Sequence, residues 1–202
     1  WQNAVLSNVV FENVKMNLIN FKGSTLKQVK FLHSKIESII FDEIYDSQIQ
    51  FIKSEIVGHP PKYSTTFFNA NNIQLELFES KTKDLDSVYI KGKSTFYIVH
   101  SQIIDSDLTG MELESFSIED SDTNGSGING SRINKVTIEK IRSHFALGGI
   151  MVKEINISSS ALIRTGLSKG EITELNITNC IDADDFGIFK AKIAKVSIVN
   201  CV

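Results

Sequence analysis

Residues 11–56 read FENVKMNLINFKGSTLKQVKFLHSKIESIIFDEIYDSQIQFIKSEI, and the period of this stretch decides the fold. Extend it back to Trp1 and step by five: Trp1, Leu6, Phe11, Met16, Phe21, Leu26, Phe31, Ile36, Phe41, Asp46, Phe51 and Ile56. All but Asp46 are large and apolar, whereas a composition of 42% hydrophobic residues would by chance give about five of twelve. The positions two earlier form a second series: Ala4, Val9, Val14, Ile19, Ser24, Val29, Ser34, Ile39, Ile44, Ile49 and Ser54, all apolar or small. The residues between are mostly polar.

A five-residue step fits neither an amphipathic helix nor a flat alternating strand. Residues two apart on a strand face the same way, so a pair two apart repeated every five spells short strand, corner, short strand, corner. Four such sides close a coil of about 20 residues, and coils then stack at roughly 4.8 Å. Inner ladders should follow, with Phe11, Phe31 and Phe51 in one and Trp1, Phe21 and Phe41 in another. A β-sandwich would not hold one phase for this long. The single charge in the inner series, Asp46, would be costly to bury, and a local bulge should turn it outward.

The chain reads as one solenoid domain over 1–202, interrupted near 57–67, 79–95 and 139–154. After the first break the phase shifts by two and resumes at Phe68, Ile73 and Phe78. The segment from Glu79 to Asp86 is too polar for core sides and is expected to protrude as a loop. From Phe96 to Ile138 the step is regular, and it continues with one-residue slips through Ile157, Leu167, Ile177 and Ile198.

Ser101-Gln102-Ile103, Ser106-Asp107-Leu108 and Ala191-Lys192-Ile193 place a small residue two before a large apolar one. This register resembles the pentapeptide-repeat family, which implies an all-β fold, a right-handed parallel β-helix with quadrilateral coils. The likeness departs at the position before the centre, where Val10, Lys15, Lys30, Ile40 and Tyr45 stand in place of the family's Asp or Asn. A three-sided right-handed β-helix is the alternative. The resemblance also implies a bacterial, non-enzymatic scaffold for protein–protein interaction. Some family members bind DNA gyrase by mimicking DNA, but a net charge of −3 does not support that role here.

Weak net charge gives no reason to expect nucleic-acid binding, and no run of about 18 apolar residues supports a membrane span. Two cysteines make no disulfide framework, which slightly favours the cytoplasm. Cys180 and Cys201 each follow an Asn and stand three after a central Ile, so they should stack one coil apart as buried thiols. Asp120, Asp122 and Asn124 resemble the opening of a calcium loop, but Ser131 occupies the place of the closing Glu. Asp182, Asp184 and Asp185 form a second acidic corner. His33, His59, His100 and His144 have no metal-site spacing, and His33 and His100 should fall on corners. No cofactor motif occurs.

The expected partner is a protein, met at the interruptions, with Lys81, Lys83 and Asp84 as contact residues. A carbohydrate-binding or carbohydrate-active β-helix is the alternative function. Neither end carries a capping helix, so the chain is read as part of a longer one or as capped end to end by other subunits.

Overall fold

The computed structural model describes residues 1–58, 65–88, 90–141, 144–163, 165–184 and 187–202. His59 and Asp185 lie outside them. The first turn of chain runs through four short strands, Val5–Ser7, Val10–Glu12, Lys15–Met16 and Ile19–Asn20. The next four, Thr25–Lys27, Val29–Leu32, Lys35–Ile36 and Ile39–Ile40, lie directly on them in parallel. Leu6 stacks on Leu26, Phe11 on Phe31, Met16 on Ile36 and Ile19 on Ile39, each pair twenty residues apart.

From Tyr45–Ile52 onward the first two sides usually run as one eight-residue strand, repeated at Asn71–Phe78, Glu112–Glu119, Arg132–Glu139, Met151–Ser158, Glu171–Thr178 and Lys192–Val199. These strands form a 10-stranded parallel sheet, flanked by a 9-stranded and a 5-stranded one. The coil nevertheless keeps four sides. Met111/Leu113, Phe116/Ile118, Ser121/Thr123 and Ser126/Ile128 are four buried inward pairs within one turn, and the three-sided alternative does not hold.

Corners repeat a backbone signature. Asn3, Asn8, Asn13, Gln28, His33, Glu43 and Lys53, each two residues after an inward centre, adopt left-handed φ of 48–56°. Asn tolerates that region well, and Gly23 takes it at φ 72°. Both corner histidines, His33 and His100, have φ 48°. Asp46 also turns outward at φ 45°. Ser47 takes its inward place, accepting the Leu26 N–H at 2.9 Å and donating to the Tyr45 carbonyl at 2.8 Å.

The aromatic ladders form with one change of membership. Phe11–Phe31 and Phe31–Phe51 stack at 4.9 and 4.8 Å, and Phe21–Phe41 at 5.7 Å. Such pairs add about 0.5–1.5 kcal/mol each beyond their burial. Trp1 does not join the second ladder: it is 62% exposed and meets Phe11 edge-on. Phe67 extends that ladder instead, stacking on Phe41 at 4.6 Å.

Two further expectations are corrected here. The phase after the first break is off by one at both its phenylalanines. Phe67 and Leu77 are buried, while Phe68 and Phe78 are 41% and 39% exposed. The polar stretch beginning at Glu79 does not protrude. Lys81–Lys83 and Leu85–Val88 are strands within the coil, and Ser80, Thr82 and Leu85 point inward. Serine can fill core positions here because the stack itself supplies its hydrogen bonds.

Ser34, Ser54, Ser80, Ser101 and Ser121 form a buried column through successive coils. The N–H groups of Val14, Ser34, Ser54, Ser80 and Ser101 each donate to the serine hydroxyl of the next coil, at 3.0–3.3 Å. Each hydroxyl in turn donates to a nearby carbonyl, as Ser54 does to Ile52 (3.0 Å) and Ser101 to Val99 (2.7 Å). Ile141 interrupts the column, and Ser160 resumes it by accepting the Ile141 N–H at 3.1 Å. Cys180 and Cys201 are its last members, with the Cys180 N–H 3.4 Å from Cys201 Sγ.

Replacing Ser54 or Ser80 by Ala strands a buried N–H and should cost about 1–3 kcal/mol in urea unfolding. Cysteine at the same sites should cost less, as the column's own cysteines imply. The converse case is Thr82, fully buried between Ile56 and Ile103, whose Oγ1 has no hydrogen-bond partner among the described residues. Thr82→Val should raise the unfolding midpoint, by about 1 kcal/mol in stability. An unchanged or lowered midpoint would contradict this account.

Candidate interaction surface

With inner positions filled by apolar and hydroxyl groups, chemistry is confined to the outer rows. On the 10-stranded sheet, Leu32, Ile52 and Phe78 stand above one another in register, facing outward, and Val99 continues the row but is buried. Leu32 and Ile52 are half-buried and Phe78 is exposed, which makes an apolar stripe on a polar face. Glu12 and Glu119 close its two ends in the same row. Beside it run Lys30, Gln50, Glu76 and the exposed Tyr97.

The next residues form the corner row His33, Lys53, Glu79 and His100, all with positive φ. Lys53 pairs with Glu79 at 3.4 Å, and His100 Nδ1 lies 2.9 Å from the Asp120 carboxylate. The His100 ring also meets Phe78 edge-on at 5.9 Å. Around the corner, Lys35, Glu55, Lys81 and Gln102 are stacked, with Lys35 paired to Glu55 at 3.0 Å. A hollow of about 470 Å³ lies over these corner and side rows.

Lys81 lines this hollow and makes no ion pair among the described residues. Lys83 faces outward two residues further along the same strand, and Asp84 forms the following corner at φ 53°. The expected contact residues thus share one side and its corner, on a flat face rather than on a loop. Phe78, Ile52 and Leu32 give the hollow an apolar border, and of these Phe78 was hidden by the phase error.

The calcium-like segment is spread out by the coil. Ser121 and Thr123 point inward, leaving Asp120, Asp122 and Asn124 exposed on alternate positions, with Asp120 committed to His100. Among the described residues no three His, Cys, Asp or Glu side chains are placed to hold a metal ion. The side chains of Asp182 and Asp184 lie outside the described set, like all of Asp185.

Shifted ionisable groups have local structural causes. Burial pushes the Asp42 carboxyl up, offset in part by the Thr66 hydroxyl donating at 3.0 Å. Glu154 is held below the usual range by the Asn156 amide and by Lys135, and Glu174 by Lys195 and Asn176. These acids belong to outer ladders in which Lys135–Glu154 and Lys195–Glu174 pair at 3.3 and 2.9 Å, and Asn176 donates to Asn156 at 3.0 Å.

Four-sided coils, a five-residue step and an inward pair two apart settle the architecture. It is that of a pentapeptide-repeat β-solenoid. No protein-family profile matches the sequence, and no curated protein does. Among solved structures the chain is similar to a trypsin-treated variant of QnrB1, a plasmid-mediated fluoroquinolone resistance protein. That likeness has 12% identity and a TM-score of 0.42, covering 96% of this chain and 90% of that one. It is also similar to HetL, a pentapeptide-repeat protein involved in heterocyst differentiation regulation in the cyanobacterium Nostoc. Identity there is 10% and the TM-score 0.33, over 100% of this chain and 87% of that one. The fold assignment rests on this chain's own strand register.

The two cysteines are free and stacked as expected, Cys180 buried and Cys201 partly exposed. Burial pushes the Cys180 thiol up. Under native conditions iodoacetamide should therefore modify Cys201 at least about tenfold faster than Cys180, read by peptide mass spectrometry. Equal rates would show that the last coils open together.

Proposed function

We propose that the chain is a non-enzymatic β-solenoid scaffold that binds a protein partner through the corner surface of Phe78 and Lys81. The observation that carries this reading is the apolar stripe Leu32–Ile52–Phe78 bordering a charged hollow. An outward apolar residue on each of three successive coils is a costly use of a polar face, and contact with another protein removes that cost. Lys81 supplies an unpaired cation beside it, and Lys83 and Asp84 widen the contact. Rigid stacking suits the role, because each row holds its side chains at one-coil spacing.

The carbohydrate alternative draws less support. Its stacking platform would have come from the phenylalanines of the first block, and Phe21, Phe31, Phe41 and Phe51 are buried.

The test is capture of partners from an extract of the source cells on immobilised wild-type chain, Phe78→Ser and Lys81→Glu. Both substitutions face solvent and should leave the thermal midpoint within a few degrees. A protein retained by the wild type and lost from both variants is the expected result. Identical retention by all three would overturn this choice of surface. Turnover in a reducing-sugar assay would overturn the non-enzymatic reading.

A further inference from the structure

A second surface lies elsewhere on the 10-stranded sheet and does not depend on the corner reading. An open trough of about 550 Å³ crosses the strands Arg132–Glu139, Met151–Ser158, Glu171–Thr178 and Lys192–Val199. Its floor is the backbone at Ile133, Val152, Ile172 and Ile193, whose side chains pack into the core. One wall is the stacked row Arg132, Met151, Glu171 and Lys192. Asn134, Lys153, Thr173 and Ala194 form the other.

The charges in the trough are unbalanced. Its lining holds three cations, Arg132, Lys153 and Lys192, against one carboxylate, Glu171, which is already paired with Lys192 at 3.0 Å. Among the described residues neither Arg132 nor Lys153 has an ionic partner, and the Arg132 guanidinium reaches the Met151 sulfur at 3.9 Å. Nearby acids do not correct this. Glu114 accepts the Asn134 amide at 2.9 Å, Glu112 stacks on Arg132 in register without an ion pair, and Glu154 is held by Lys135. Next to Arg132 on the same wall stands Met151, 43% exposed, a soft and adaptable apolar contact.

Four strands at about 4.8 Å give a trough roughly 14 Å long, room for about four residues of extended peptide at about 3.3 Å each. Alternate residues of such a peptide face one way, so an acidic residue and an aliphatic one can be presented in turn. We infer that this trough binds a short, extended acidic segment of a protein partner, with a carboxylate between Arg132 and Lys153 and an aliphatic side chain on Met151. Arginine grips a carboxylate bidentately, which gives the site a direction as well as a charge. A solvated phosphate would use the cations and leave the thioether idle, which favours the peptide.

The test uses the whole chain and a fluorescein-labelled six-residue peptide alternating glutamate and leucine, read by fluorescence anisotropy. Saturable binding should weaken at least about tenfold in Arg132→Glu and in Lys153→Glu, and less in Arg132→Lys. Phe78→Ser should bind this peptide like the wild type, so failure of the corner surface and failure of the trough are separable. Melting curves check the fold. If either Glu variant were unfolded, Arg132→Gln and Lys153→Gln would take its place, with the same expected direction. Equal binding of the glutamine counterpart peptide, or binding indifferent to both cations, would overturn the assignment. So would complete displacement by equimolar inorganic phosphate, which would mark a simple anion site.

Discussion

The structure depends on what becomes of backbone N–H groups at the corners. A short strand that turns every five residues cannot pair every amide with a carbonyl above or below it, and an unpaired buried amide costs as much as a lost hydrogen bond. The buried serines supply the missing acceptor from within the core. Because each hydroxyl also donates to a carbonyl, no serine hydroxyl in the column is left over. Small residues at these positions also let the chain turn while large ones fill the centre. The phenylalanine ladders then pack beside a column of serines whose hydroxyls are already hydrogen-bonded.

Much of this was legible from spacing alone. The five-residue step located the inward residues from Phe21 to Ile44 and again from Phe96 to Ile138. It also identified Asp46 as the residue to be turned out, since one charge in a series of apolar centres has few alternatives. The phase errors share one cause. Phe67-Phe68 and Leu77-Phe78 are adjacent apolar pairs, and periodicity cannot choose between their members after an interruption of unknown length. Ser80 failed for another reason. Polarity counts against core placement only when no hydrogen-bond partner is available, and the stack that satisfies Ser80 is invisible in the local sequence.

The candidate surface was partly legible as well. Lys81, Lys83 and Asp84 were found as a polar group interrupting an apolar rhythm, which is a signal of composition. Their apolar neighbours Ile52 and Leu32 lie one and two coils away, and proximity across coils follows only from register. The same register builds the ladders of alternating charge, such as Lys35–Glu55 and Lys53–Glu79, which keep a flat outer sheet hydrated between its contact areas.

The spacing between successive members of the serine column has a wider meaning. Ser34 to Ser54 is 20 residues, Ser54 to Ser80 is 26, Ser80 to Ser101 is 21, and Ile141 to Ser160 is 19. The column stays aligned through all of them. A coil is thus defined by what it stacks upon and not by how many residues it contains. Such a scaffold separates two kinds of change. The number of residues between column members varies while their hydrogen bonds persist, so the inside keeps count where the chain length does not.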